Sequence, residues 1–192
     1  MPAPRVHSFA LTPHPATPSR AVRAVGGRVS PVPGGMLVTY VLEGDLDRVR
    51  VPETKAPGFA DDLWRHTCCE AFVAVRGEPG YCEFNFSPSG EWAVYRFKRP
   101  RERQDLDAGC DREALDPHVT VCRSGDRLEL DAVMRLDRLS PGCLGAHVRL
   151  GLSAVVEDRD GALSYWALRH PLDAPDFHHP EAFALELDEV RD

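Results

Sequence analysis

"YCEFNFSPSGEWAVYRF", residues 81–97, is the stretch on which the reading of the chain turns. Successive side chains of a strand point to opposite faces. In "YCEFNFS" this period puts Cys82, Phe84 and Phe86 on one face and Tyr81, Glu83, Asn85 and Ser87 on the other. "PSGE" is a Pro/Gly turn, and "WAVYRF" resumes an extended run rich in aromatic and β-branched residues. The stretch is a β-hairpin with one core face and one polar face, and the polar face carries Glu83 and Asn85.

Strand signals continue on both sides of the hairpin. "TCCEAFVAV" (67–75) precedes it across the "RGEPG" turn; its apolar face is Cys69, Ala71, Val73 and Val75, and Glu70 lies between Cys68 and Phe72 on the other. If the two runs pair, Glu70 and Glu83 share a face with Asn85. Upstream, "AVRAVGGRVSPVPGGMLVTYVLEG" reads as two extended segments divided by Pro and Gly. Downstream come "HVTVCRSGDRLELDAVMRL" around a Ser-Gly-Asp turn, "HVRLGLSAVVED", "LSYWALRH" and a closing "FALELDE". Eight to ten short strands with frequent turn signals predict an all-β fold, an antiparallel β-sandwich with two sheets packed face to face. Residues 1–20, rich in Pro, Thr and Ser, read as an irregular lead-in to a single domain over 21–192.

Composition narrows the classes of function. The 192 residues suit one domain with a substantial core, and 43% hydrophobic with 28% charged residues is ordinary for a globular protein. A net charge of -7 argues against nucleic acid as a partner. The basic cluster Arg96, Lys98, Arg99, Arg101 and Arg103 reads as a solvated loop. No apolar run approaches the roughly 18 residues of a membrane span, and the proline-interrupted N-terminus does not read as a signal peptide, so a cytoplasmic location and no membrane partner are expected. The six cysteines, Cys68, Cys69, Cys82, Cys110, Cys122 and Cys143, contain no C-x-x-C pair and read as buried thiols.

The polar ladder of Glu70, Glu83 and Asn85 suits either a hydroxylated ligand or an internal network, since a carboxylate on a buried strand needs partners. Trp64, Trp92 and Trp166 fall around the same strands, where a ring either stacks on a sugar or packs in the core. "RHPLDAPDFHH" places His170, His178 and His179 within ten residues, and imidazoles suit transition metals. That makes a metal centre, with His66 as a further candidate ligand, the competing reading; no zincin H-E-x-x-H occurs. Haem attachment through C-x-x-C-H is absent from the sequence, and no nucleophile elbow or phosphate loop supports catalysis.

Four blocks, "LWRHTCCEAFV", "YCEFNFSPSGEWAVYRF", "GLSAVVED" with "GALSYWALRHP", and "PDFHH", together resemble the DOMON-like proteins of bacteria, relatives of the family 9 carbohydrate-binding modules. The resemblance spans roughly residues 35–190. It implies a β-sandwich of the carbohydrate-binding or DOMON type, jelly-roll or immunoglobulin-like, whose relatives bind sugars or haem. One departure is Cys69, where the block usually carries an aromatic residue between Cys and Glu; Glu70 is retained. The expectation is a non-catalytic module for a carbohydrate or glycan-like ligand, without a resident cofactor. Its candidate contacts are Trp64, His66, Glu70, Glu83, Asn85, Trp92, Tyr165, Trp166, His170 and His178.

Overall fold

A computed structural model describes residues 5–105, 115–139, 143 and 145–187. The chain is all-β. Its strands are β1 (His7–Pro13), β2 (Val22–Val32), β3 (Gly35–Gly44), β4 (Gly58–Phe59), β5 (Cys68–Val75), β6 (Tyr81–Phe86), β7 (Glu91–Arg99), β8 (Glu102–Gln104), β9 (Thr120–Ser124), β10 (Arg127–Arg135), β11 (Val148–Glu157), β12 (Leu163–Ala167) and β13 (Leu185–Leu187). Helix among the described residues amounts to α1 (Leu136–Leu139) and short 3-10 turns such as Leu63–Arg65 and Pro180–Ala182.

The strands form one hydrogen-bonded path, β4-β7-β6-β5-β11-β12-β1-β2-β3-β10-β9, with β13 on β11 and β8 on β7. Every pairing is antiparallel except β4 with β7. The path curls so that its two halves face each other across one core. Met36, Val38, Tyr40 and Leu42 of β3 and Leu128, Leu130 and Met134 of β10 come from one half. Phe84 and Phe86 of β6, Val94 of β7 and Leu150, Leu152 and Ala154 of β11 come from the other. The alternation of small, β-branched and aromatic residues along these strands is what allows the two inner faces to interdigitate.

Contrary to the expectation of an irregular lead-in, residues 7–13 form β1, which joins the two halves. His7 to Leu11 pair with β2, while Thr12 and Pro13 pair with Trp166 and Ala167 of β12. Prolines on either side hid the strand: they punctuate the sequence but leave Leu11 free to enter the core, where it is buried. The Gly26-Gly27 pair also finds its reason here, since a Cβ on Gly27 would overlap the Thr39 carbonyl of the adjoining β3. Of the cysteines, Cys68, Cys69, Cys82 and Cys143 are buried as expected, but Cys122 on β9 is exposed; Cys110 lies outside the described residues.

A polar contact crosses the core. The Tyr40 hydroxyl donates to the Glu70 carbonyl at 2.5 Å, fixing the strand that carries the Glu70 side chain on its far face. A buried neutral hydrogen bond contributes about 1 kcal/mol net. Tyr40→Phe is therefore expected to lower unfolding free energy by about 1 kcal/mol, measured by urea denaturation. No change would mean that the carbonyl is fully satisfied within the sheet.

Candidate functional site

The outer face of the β7-β6-β5-β11-β12 half is not bare. Register places Ser153, Glu70, Asn85 and Ala93 in one cross-strand row, Phe72, Glu83 and Tyr95 in the next, and Val155 opposite Tyr165. The pairing expected from the sequence thus occurs, and Glu70, Glu83 and Asn85 share this face. A second apolar cluster, built on Phe72, Tyr81, Tyr95, Phe97 and Phe183, covers part of it. Two chain segments rise above the rest: the connection holding the Leu63–Arg65 turn, and the proline-bearing loop that carries Phe177 and His178.

Between them lies a cleft of about 570 Å³. Glu70 and Glu83 form its floor, at 3% and 5% exposure. Trp64, Tyr95, Phe97, Tyr165 and Phe177 are its rings, and Arg101, Arg103, Asp62 and His178 its polar rim. Trp64 is 45% exposed, unusual for so large a ring; Arg65 lies 5.3 Å from its centroid. Phe177 and Tyr165 approach each other at 6.0 Å between centroids.

Hydrogen bonds tie the roof to the floor. Asn85 Nδ2 donates to Glu83 Oε1 at 2.6 Å, and Cys68 Sγ lies 3.6 Å from Asn85 Oδ1. His178 Nε2 stands 3.7 Å from Glu83 Oε2, while its Nδ1 is 2.7 Å from the Tyr81 hydroxyl. The Asp176 carboxylate accepts from both the His178 backbone N–H and Arg101.

Burial sets the protonation states. It raises the Glu70 carboxyl well above the ordinary carboxylate range, and the nearby Glu83 charge raises it further. Ser153, across from Glu70 on β11, works against the shift, although its Oγ makes no hydrogen bond of good geometry. Glu83 is also raised by burial, opposed by the Asn85 amide and by the charges of Arg103 and Arg101. Burial, aided by Arg101 and opposed by Asp176, lowers His178 to about 4. Two adjacent carboxyls away from water cannot both ionise freely, so the floor presents a proton donor beside an acceptor. That combination orients hydroxyl groups, and the flanking rings offer faces to the C–H surface of a pyranose.

The ten residues singled out by sequence divide cleanly. Trp64, Glu70, Glu83, Tyr165 and His178 line the cleft. Asn85 is fully buried and braces Glu83 from behind. Trp92 and Trp166 do not reach it. Both are on the core side of their strands at 3% exposure, and Trp166 Nε1 donates to Ser164 Oγ. His66 bonds Glu157 Oε2 at 2.8 Å, and His170 bonds the Thr12 carbonyl at 2.9 Å with its ring edge-on to His14. His179 caps the Pro180–Ala182 turn by accepting from the Glu181 N–H. His170, His178 and His179 therefore serve three separate contacts, and no group of three metal-ligating side chains occurs among the described residues.

Sequence reasoning missed Tyr95, Phe97, Arg101, Arg103 and Phe177. A signal existed for two of them. In "EWAVYRF", a period of two puts Tyr95 and Phe97 on the face opposite Trp92. The arginines, read as a solvated loop, instead reach the rim; the Arg103 guanidinium lies 4.0 Å from the Tyr95 ring centroid.

No family model matches the chain, and no curated protein matches it. Among solved structures, it is similar to a protein from Bacteroides uniformis ATCC 8492 described as a "putative carbohydrate-binding protein". The TM-score is 0.65 at 18% identity, over 92% of this chain and 83% of that one. The likeness shows a shared fold, built over nearly the whole chain on largely different residues.

Proposed function

We propose that the cleft binds a carbohydrate or glycan-like ligand, and that the protein is a non-catalytic module related to the DOMON-like and family 9 carbohydrate-binding proteins. The observation that carries this reading is the pairing of a buried Glu70/Glu83 floor with exposed rings of Trp64 and Tyr165 in one cleft. Sugars present alternating polar and apolar surface, and this cleft offers partners for both. The fold shared with the Bacteroides protein and the four sequence blocks supply independent support.

Tryptophan fluorescence provides the assay, because Trp64 is exposed while Trp92 and Trp166 are buried. Titration with a panel of neutral, amino and acidic sugars and cell-wall fragments is expected to shift the emission saturably. Trp64→Ala is expected to weaken affinity about tenfold, equivalent to about 1.4 kcal/mol, in calorimetric titration, with little change in melting temperature. Absence of any response at millimolar sugar would remove this reading.

A further inference from the structure

The charges of the proposed sugar cleft are balanced at its rim and unbalanced at its floor. Each rim cation has its own acidic partner: Arg101 pairs with Asp176 at 2.9 Å, Arg103 with Asp61 at 3.7 Å, and Arg65 with Asp62 at 3.4 Å. Glu70 has no such partner among the described residues, and Glu83 feels the charges of Arg101 and Arg103 without an ion pair to either. The basic group nearest Glu83 is the His178 ring at 3.7 Å, which burial keeps neutral. Glu70 lies between Ser153, whose Oγ makes no hydrogen bond of good geometry, and Asn85, whose amide nitrogen donates to Glu83. The other titratable side chains on this face, Cys68, Tyr81, Tyr95 and Tyr165, supply no positive charge. Glu70, at 3% exposure, facing the cleft and without a cationic partner among the described residues, is a carboxyl that gives up its proton when a cation takes the proton's place.

We propose that the cleft selects an amino sugar, whose protonated primary amine is held by the Glu70 and Glu83 carboxyls. This rests on the carbohydrate reading of the same cleft and narrows it to a ligand class. An ammonium group has three donors and no acceptor, and its hydrogen bonds to carboxylate are charge-assisted and strong. In a site shielded from water the attraction is larger than at the surface. The rings of Trp64, Tyr95, Tyr165 and Phe177 also attract a cation. A uronic acid would bring a second negative charge toward the floor, and the arginines that might offset it are already engaged. A neutral sugar would leave the floor carboxyl protonated and gain no charge-assisted hydrogen bond from it.

Calorimetric titration of the full chain at mildly acidic pH, with glucosamine, N-acetylglucosamine, glucose and glucuronate, tests the assignment. Glucosamine is expected to bind at least about tenfold more tightly than the other three, a margin of about 1.4 kcal/mol. Because the amine stabilises the ionised carboxyls, its binding is expected to release protons. That release is visible as a difference in heat between buffers of unlike ionisation enthalpy. Glu70→Gln and Glu83→Gln are each expected to reduce the ratio of glucosamine to glucose affinity to below about threefold, less than 0.7 kcal/mol. The melting temperature of each variant verifies its folding. Equal affinity for glucose and glucosamine, or a preference for N-acetylglucosamine or glucuronate, would overturn the amino-sugar assignment and leave carbohydrate binding standing. Failure of all four sugars, together with the failure of the wider panel above, would overturn both.

Discussion

Phe84→Ala is expected to lower the unfolding free energy by about 3–5 kcal/mol and the melting temperature by roughly 6–20 °C. Phe84 is fully buried, faces the shared core from the central strand β6, and stacks at 6.1 Å on Phe86. Its register neighbours are Ala71 and Val94, neither large enough to fill the space left by a ring. The removed apolar surface and the residual cavity both contribute. Glu83 and Asn85 flank Phe84 in sequence and point the other way, so loss of the ring loosens the floor of the cleft from beneath. Calorimetry and urea unfolding would measure the effect, and a loss below about 1 kcal/mol would contradict core packing at this position.

The second large effect is acid sensitivity through His178. Burial lowers its folded-state value to about 4 from the ordinary 6.5, a gap worth roughly 3 kcal/mol. Between these values the unfolded chain binds more protons than the folded one, so stability falls as pH drops through the window. His178→Gln, which removes the titrating ring, is expected to flatten this acid limb, as read by urea unfolding at steps from neutral pH to about pH 4. An acid limb as steep as that of the parent protein would show that His178 is not its source. Glu70 acts with the opposite sign. Its raised folded value means that stability falls as pH rises above the ordinary carboxylate range. The cleft therefore opposes stability from both sides, as sites built for binding often do.

Much of the fold was legible because period two survives in the strands that matter. "YCEFNFS" and "TCCEAFVAV" each separate an apolar face from a face bearing a glutamate, and register confirms both. β1 was hidden by its prolines, which mark turns when read locally but here stand at the strand's end and beyond it. Trp92 and Trp166 were candidates because a tryptophan looks alike in sequence whether it stacks or packs. Strand parity decides between them, and it sends Trp92 inward and Tyr95 outward. Other parts of the cleft were invisible for a different reason. Phe177 and Arg101 reach it through loops, and side-chain direction there follows from tertiary contacts such as Arg101 with Asp176, which no local pattern encodes.

The double pairing of β1 also sets an order of events in time. Its contacts with β2 close a short hairpin, whereas Thr12 meets Ala167 across a sequence separation of 155 residues. The entropy cost of such a closure grows with the logarithm of the loop length, and long-range strand pairings of this kind are slow to form. β12, which carries Tyr165, pairs locally with β11 and gains its second neighbour only in that closure. In refolding kinetics, a probe on the wall formed by Tyr165 should reach its native signal after the β5-β6-β7 meander does, so that the ability to bind is the last property the chain acquires.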